Sequence, residues 1–182
     1  MFVQGIKKRD RKQDLFMGNI ILIGMPASGK STVGRRLAKK LNMDFVDTDN
    51  LIEESEGMRL QDIIDNKGNK YFWEVEEKIL CNLDCRDTVI ATGGSAILFP
   101  KAIEHMKKTG AIIYLEQSLT LLKKRLYNLD SRGVTLDEGE SIESLYNYRV
   151  PLYKRYSDTT VDVANKSVED VASEIIKSCV PR

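Results

Sequence analysis

The residues best suited to chemistry in this 182-residue chain lie in one glycine-rich segment. It reads Gly24-Met25-Pro26-Ala27-Ser28-Gly29-Lys30-Ser31, which fits the pattern G-x-x-x-x-G-K-S/T, and Thr32 follows it. Glycine lets the backbone come close to a ligand because it carries no Cβ atom. Backbone amides and a helix N-terminus then converge on one point, where they stabilise an anion. We therefore predict that this segment binds the phosphates of a nucleotide. The residues involved are residue 24 and residues 26–32, which are called the phosphate loop below.

The flanks of the phosphate loop support this interpretation. Ile20–Ile23 is a short apolar run typical of a buried strand, and the period becomes helical from Val33 onward. In the context of strand, loop and helix, Lys30 supplies a cation to the β- and γ-phosphates and Ser31 offers a hydroxyl to Mg²⁺. A plain glycine turn is the alternative, and it leaves Lys30 and Ser31 unexplained.

Further polar groups follow the next two predicted strands. Asp44–Asp49 is predicted to be a short strand ending in two carboxylates, Asp47 and Asp49, which face the same side of an extended segment. Thr88–Thr92 is predicted to be a strand that runs into Gly93-Gly94-Ser95. Because ligands collect at the carboxyl ends of parallel strands, both groups are expected beside the phosphate loop. A helix cap at the aspartates and an ordinary turn at the glycines are the alternatives.

Strands alternate with helices along the chain, which predicts the fold class. Two more strands are predicted at Ala111–Leu115 and Thr160–Val163. The pattern predicts an α/β three-layer sandwich, with a five-stranded parallel sheet and helices on both faces. Residues 129–141 are polar and lack periodicity, which predicts a mobile loop. We expect residues 17–182 to form one domain and residues 1–16 a flexible basic extension.

Composition narrows the classes of function. Hydrophobic residues make up 42% of the chain and charged residues 30%, as in ordinary globular proteins. The net charge of +1 gives no electrostatic case for binding nucleic acid or a membrane surface. The three cysteines are expected to be reduced structural thiols. A cytoplasmic monomer that acts on a small molecule is expected.

Taken together, the motifs resemble those of shikimate kinases, a family of P-loop enzymes similar to nucleoside monophosphate kinases. The phosphate loop, Asp47-Thr48-Asp49, Gly93-Gly94 and Arg149-Val150-Pro151-Leu152-Tyr153 occur in the order and at the spacings of that family. The resemblance implies a P-loop NTPase fold in which the loop of residues 129–141 is a mobile lid. It also implies Mg²⁺-dependent transfer of the γ-phosphate of ATP to a hydroxyl of shikimate, a step of aromatic amino acid biosynthesis.

The resemblance implies roles on the acceptor side. Asp47 resembles the aspartate that holds Mg²⁺ through water. Asp49 resembles the one that binds the substrate hydroxyls and helps to remove a proton. Gly93 and Gly94 resemble a loop that lays backbone amides against the substrate. Arg149 resembles an arginine that pairs with the substrate carboxylate.

It also implies roles on the ATP side. Arg132, in the predicted lid, resembles the arginine that reaches the transferring phosphate. Arg125 resembles a residue that stacks on adenine, and Asn165 and Lys166 resemble the loop over its other face. The implied catalytic residues are Lys30, Asp49 and Arg132.

Two positions depart from the family pattern. The family usually has Phe-Arg-x-x-Glu after the second strand, with the arginine as a second clamp on the substrate carboxylate. Here Phe72 is followed by Trp73 at the arginine position, and Glu76 keeps the place of the glutamate. Ser95 replaces the third glycine of the loop. Loss of a charge-assisted contact costs on the order of 1.5–3 kcal/mol. Trp73, Glu76 and Ser95 are predicted to be substrate-binding residues that change the character of the acceptor site.

These departures leave alternatives for the acceptor, with shikimate favoured. If Glu76 lacks its cation, Glu76 or Glu74 could pair with the ammonium of a hydroxy-amino acid such as homoserine. Gluconate is a further candidate, since one fold hosts many acceptors. Alternatively, Lys70 or Arg59 replaces the missing arginine and the acceptor is still shikimate. A nucleotide-binding regulator without kinase activity is the remaining class, and the retained aspartates and lid arginine argue against it.

Overall fold

A computed structural model describes residues 18–127 and 140–179 of the chain. The predicted extension, residues 1–16, lies outside the described residues. So does most of the predicted lid, including Arg132.

Five parallel strands form the sheet, in the order β2-β3-β1-β4-β5. Their bounds are β1 Asn19–Ile23, β2 Asp44–Asp47, β3 Thr88–Ala91, β4 Gly110–Glu116 and β5 Thr159–Asp162. At the centre, Leu22 of β1 lies in register with Ala91 of β3 and Ile113 of β4. All five residues of β1 are buried, as expected for the middle strand of a parallel sheet.

Seven α-helices and one short 3₁₀ helix surround this sheet in the described ranges. The α-helices are α1 Lys30–Leu41, α2 Thr48–Glu56, α3 Leu60–Cys81, α4 Pro100–Thr109, α5 Leu119–Tyr127, α6 Ile142–Tyr156 and α7 Val168–Cys179. The 3₁₀ helix is Ala96–Leu98. None of the helices in the described ranges is long and apolar enough to span a bilayer.

Alternating side chains of β1 pack into two separate cores, which produces the three layers. Ile21 and Ile23 join a cluster with residues of α3, α4 and α6. Ile20 and Leu22 point to the opposite face and pack with residues of α1 and α7. This period of two is that of a strand buried on both faces. The predicted α/β three-layer fold is confirmed.

A smaller cluster joins α2 to α3 beside the sheet, with Ile52, Ile63 and Phe72 fully or almost fully buried. Within α3, Gly68 has φ 82° and ψ 165°, which no helical residue adopts. Gly68 therefore lies at a kink between two helical segments of α3, the second of which carries Glu76.

The second strand is shorter than predicted. It ends at Asp47, and Asp49 lies in the first turn of α2. The Asp47 carboxylate accepts a hydrogen bond from the Asp49 backbone amide at 3.2 Å, which caps the helix. The prediction that both carboxylates project from one extended strand is wrong, because the strand ends two residues earlier than predicted, at the Asp47 cap.

Candidate active site

The phosphate loop joins β1 to α1 and has the backbone of an anion-binding turn. Gly24 has φ 149°, and a Cβ there would lie 2.8 Å from the carbonyl oxygen of Leu115. Gly29 has φ 98° and forms the N-cap of α1. Both positions therefore need glycine, and the amides at the start of α1 are free of any side-chain cap.

Lys30 lies across the phosphate loop and is only 8% exposed. Its Nζ donates hydrogen bonds to the carbonyl oxygens of Gly24, at 2.8 Å, and Met25, at 2.9 Å. Burial lowers the pKa of Lys30 to about 8, and the negative charges of Asp49 and Asp47 oppose this shift. The ammonium group is therefore held between the loop and the carboxylates that follow β2.

One cavity of about 580 Å³ connects the phosphate loop to the ends of β2 and β3. Among the residues predicted for the site, those lining it are Pro26, Ala27, Gly29, Lys30, Ser31, Thr32, Asp49, Gly93, Gly94, Ser95 and Arg125. Phe72 and Thr92 also line it and were not predicted. The structure thus brings the donor loop and much of the acceptor loop to one space.

The loop Gly93-Gly94-Ser95, called the acceptor loop below, is held on two sides by buried hydroxyl groups. The Gly93 amide donates to Thr48 Oγ1 at 3.1 Å. The Tyr153 hydroxyl donates to the Gly94 carbonyl oxygen at 2.6 Å, and its ring stacks on Tyr114 with centroids 5.0 Å apart. These contacts fix the direction in which the acceptor loop presents its backbone.

The acceptor loop also touches the phosphate loop directly. A Cβ on Gly94 would lie 2.8 Å from two ring carbons of Pro26. Glycine at this position therefore sets the distance between the two loops. Sequence reasoning did not assign roles to Thr48 and Tyr153, although both stand inside the motifs that carried the family resemblance.

Buried charges of both signs lie behind and beside the cavity. Burial, followed by the nearby charge of Asp47, raises the pKa of Asp49 to about 6, and Lys30 opposes this shift. Arg149 of α6 is only 2% exposed, and its positive charge lowers the pKa of both Lys30 and Glu76. The acceptor end of the site therefore contains buried acidic and basic groups that lie close enough to shift one another's pKa.

Glu76 is fully buried behind the acceptor loop and does not line the cavity. The Ser95 hydroxyl donates to Glu76 Oε2 at 2.5 Å. Burial raises the pKa of Glu76 to about 7, whereas the Ser95 hydrogen bond and the charges of Arg149 and Lys30 lower it. Glu76 therefore has a hydrogen-bond donor in Ser95 and two cations nearby, although the arginine of the family pattern is absent.

Three residues considered in connection with the missing arginine lie away from the cavity that the described residues form. Lys70 and Arg59 are exposed and do not line it, so the structure does not bring either to the position of the missing arginine. Glu74 is exposed and lines a separate groove beside α2. It is therefore not placed to pair with a ligand ammonium in the cavity.

Trp73 also differs from its prediction as a substrate-binding residue. It is half-buried and packs against the core cluster under α4 and α6 and against the smaller cluster between α2 and α3. It is not among the residues that line the cavity. An indole gains more from this apolar contact than an arginine would, so the side chain completes the core instead of the site.

The residues predicted to hold adenine are divided. Arg125 of α5 lines the cavity, and its Nη1 donates to the carbonyl oxygen of Ala27 at 2.9 Å. Asn165 and Lys166 are exposed and do not line the cavity, and Lys166 forms an ion pair with Glu174 of α7 at 2.6 Å. The structure places only Arg125 at the site.

The oxygen donors at the phosphate loop fit Mg²⁺. Ser31 offers a hydroxyl, and Asp47 and Asp49 offer carboxylates close enough to act on the charge of Lys30. Mg²⁺ prefers such oxygen ligands. The described residues contain no group of three or more acidic, histidine or cysteine side chains able to hold a metal ion. Nucleotide phosphates and water would therefore supply the remaining ligands.

Comparisons with known proteins agree on one family. The family model described as shikimate kinase matches residues 26–180. A shikimate kinase of Sulfurihydrogenibium sp. is 39% identical over 88% of this chain and 96% of its own length. One of Caldanaerobacter subterraneus subsp. tengcongensis is 34% identical over 90% and 97%. Among solved structures, shikimate kinase from Acinetobacter baumannii in complex with shikimate matches with a TM-score of 0.83. It is 30% identical and covers 92% of this chain and 95% of that one.

Proposed function

This chain belongs to the shikimate kinase family, and we propose that it transfers the γ-phosphate of ATP to a hydroxyl of shikimate, giving shikimate 3-phosphate. The observation that carries the proposal is the single cavity shared by the phosphate loop, Asp49 and the acceptor loop. The shikimate bound to the relative from Acinetobacter baumannii supports shikimate as the acceptor.

On the donor side, the phosphate loop binds ATP through its backbone amides and Lys30. Lys30 reaches the phosphates by exchanging its bonds to the loop carbonyls for bonds to phosphate oxygens. Such a group acts by neutralising charge that develops on the transferring phosphoryl group. Arg125 lies over the loop, next to Ala27, and is placed to contact the nucleotide. Arg132 stays a prediction as the lid residue that contacts the transferring phosphate.

Ser31 and Asp47 are the proposed Mg²⁺ residues, with Asp47 acting through water. When bound, the ion supplies further charge neutralisation on the β- and γ-phosphates. Asp47 also caps α2, so its carboxylate is oriented by the Asp49 amide whether or not an ion is present. Because Asp47 is both the cap of α2 and a proposed Mg²⁺ residue, it fixes the position of Asp49 relative to the proposed metal residues.

On the acceptor side, Asp49 accepts the proton of the attacking hydroxyl. Its pKa of about 6 suits a general base, since the group is ionised at neutral pH and more basic than an ordinary aspartate. Arg149 is buried and is not among the residues that line the cavity, and we propose, as the family resemblance implies, that its positive charge pairs with the carboxylate of shikimate.

A panel of acceptors tests the proposal. ADP release is measured with shikimate, homoserine, serine and gluconate, each with ATP and Mg²⁺. We expect shikimate to give the highest kcat/KM. Its KM should be roughly ten- to a hundredfold above that of a relative with the second arginine, because Trp73 forms no ionic contact. A higher kcat/KM with an amine-bearing acceptor or with gluconate would overturn the choice of shikimate.

A further inference from the structure

Ser95 connects the cavity to the buried carboxylate behind it. It lines the cavity and is only 4% exposed, so its hydroxyl is held by the protein and not by bulk water. Its Oγ donates to Glu76 Oε2 at 2.5 Å. A hydroxyl has one proton to donate and two lone pairs that accept. With the proton directed at Glu76, the Ser95 oxygen can act only as an acceptor toward a ligand.

The position of Glu76 holds this arrangement in place. Its side chain is fully buried, and Gly93 packs directly over it: a Cβ on Gly93 would lie 2.2 Å from Glu76 Oε1 and 3.1 Å from Asp49 Oδ1. Among the described residues, Oε1 has no hydrogen-bond partner. Rotation of the carboxylate is therefore restricted by Gly93 on one side and by the bond from Ser95 on the other.

Asp49 adds a second acceptor on the same wall of the cavity. Its Oδ1 lies beside Gly93, and Asp49 itself lines the cavity. Asp49 and Ser95 therefore flank Gly93 with two oxygen acceptors. A polyol with neighbouring hydroxyl groups matches this arrangement, because each hydroxyl brings one donor.

We propose that Ser95 is a specificity-determining residue, whose oxygen accepts a hydrogen bond from a non-reacting hydroxyl of the acceptor molecule while Glu76 holds the Ser95 proton. This inference rests on the kinase function proposed above. A glycine at this position offers no side-chain acceptor. Ser95 therefore adds an interaction with a hydroxyl group of the acceptor molecule. This interaction offsets part of the binding free energy that is lost because Trp73 makes no ionic contact with the acceptor.

The test compares Ser95→Ala, Ser95→Gly and Ser95→Thr with the wild-type chain. Binding of shikimate and of its 4-deoxy and 5-deoxy analogues is measured without ATP, by isothermal titration calorimetry. Kinetic constants with shikimate are measured separately. We expect Ser95→Ala and Ser95→Gly to weaken shikimate binding about tenfold, with kcat and the KM for ATP nearly unchanged. Ser95→Thr keeps the hydroxyl and should restore binding.

The deoxy analogues separate recognition from a purely structural role. If Ser95 contacts one hydroxyl, the analogue lacking it should bind the wild type and Ser95→Ala equally, whereas the other analogue should keep the tenfold difference. Because Ser95→Ala leaves Glu76 without its donor, the double variant Ser95→Ala/Glu76→Gln removes the ionisable carboxyl group as well. It should fold and show the same loss.

Three results would count against the inference. If Ser95→Ala weakens the binding of shikimate and of both analogues equally, Ser95 has a structural role alone. The same holds if Ser95→Ala binds shikimate as tightly as a catalytically active wild type does. If the wild type itself fails to phosphorylate shikimate, the proposed function is overturned, and this inference with it.

Discussion

The substitution Glu76→Gln should make the fold less sensitive to rising pH. Glu76 is fully buried, and burial raises its pKa from 4.5 to about 7. The hydrogen bond from Ser95 opposes the shift, the charge of Asp49 adds to it, and the charges of Arg149 and Lys30 oppose it. The folded protein therefore favours the protonated carboxyl, and glutamine has the same shape with no proton to lose.

The sign and size follow from linkage between protonation and folding. Because the folded pKa lies above the unfolded one, the stability that the protonated group contributes is fully present below about pH 4.5. It is lost as the pH rises through about 7. At 1.36 kcal/mol per pKa unit, the difference between the unfolded pKa of 4.5 and the folded pKa of about 7 corresponds to ~3 kcal/mol of unfolding free energy. The glutamine variant does not undergo this loss.

Urea unfolding of the wild type and Glu76→Gln from about pH 5 to about pH 8.5 measures the effect. The stability of the variant relative to the wild type should rise by ~3 kcal/mol across this range. Any change in the bond to Ser95 adds an offset that does not vary with pH. Glu74→Gln, which removes an exposed carboxylate from the same helix, is the matched control and should track the wild type. If the unfolding free energies of the wild type and Glu76→Gln change in parallel with pH, the pKa of Glu76 is not raised by folding.

Three further substitutions test the two loops. Tyr153→Phe removes the hydrogen bond to the Gly94 carbonyl and should cost about 1 kcal/mol, seen as a roughly fivefold rise in the acceptor KM with the KM for ATP unchanged. Gly94→Ala places a methyl group 2.8 Å from the Pro26 ring; about 1–3 kcal/mol of overpacking should raise the KM for both substrates and lower the melting temperature. Lys30→Met should lower kcat by at least about a hundredfold while circular dichroism shows a retained fold, and near-normal turnover would exclude a catalytic role.

The fold and the donor side were predictable from the sequence because local patterns determine them. Apolar runs mark the strands, and the phosphate loop needs glycine at positions that the structure shows in special conformations, Gly24 and Gly29. The cavity then forms at the carboxyl ends of the strands, as the topology requires.

The acceptor side was less predictable because it depends on contacts between distant residues. Ser95 and Glu76 are 19 positions apart, and their hydrogen bond exists only because α3 packs behind the acceptor loop. The apolar surroundings of Trp73 come from two separate clusters, which a motif position does not reveal. Likewise, Lys166 pairs with an acid on α7 instead of lining the cavity.

The phosphorus balance of one reaction distinguishes phosphoryl transfer to shikimate from hydrolysis of ATP. ATP, Mg²⁺ and shikimate are incubated with the chain, and ³¹P NMR follows all phosphorus species. We expect a phosphate monoester of shikimate that grows in step with ADP, with little inorganic phosphate. ADP accompanied only by inorganic phosphate, or no consumption of ATP, would contradict transfer to shikimate.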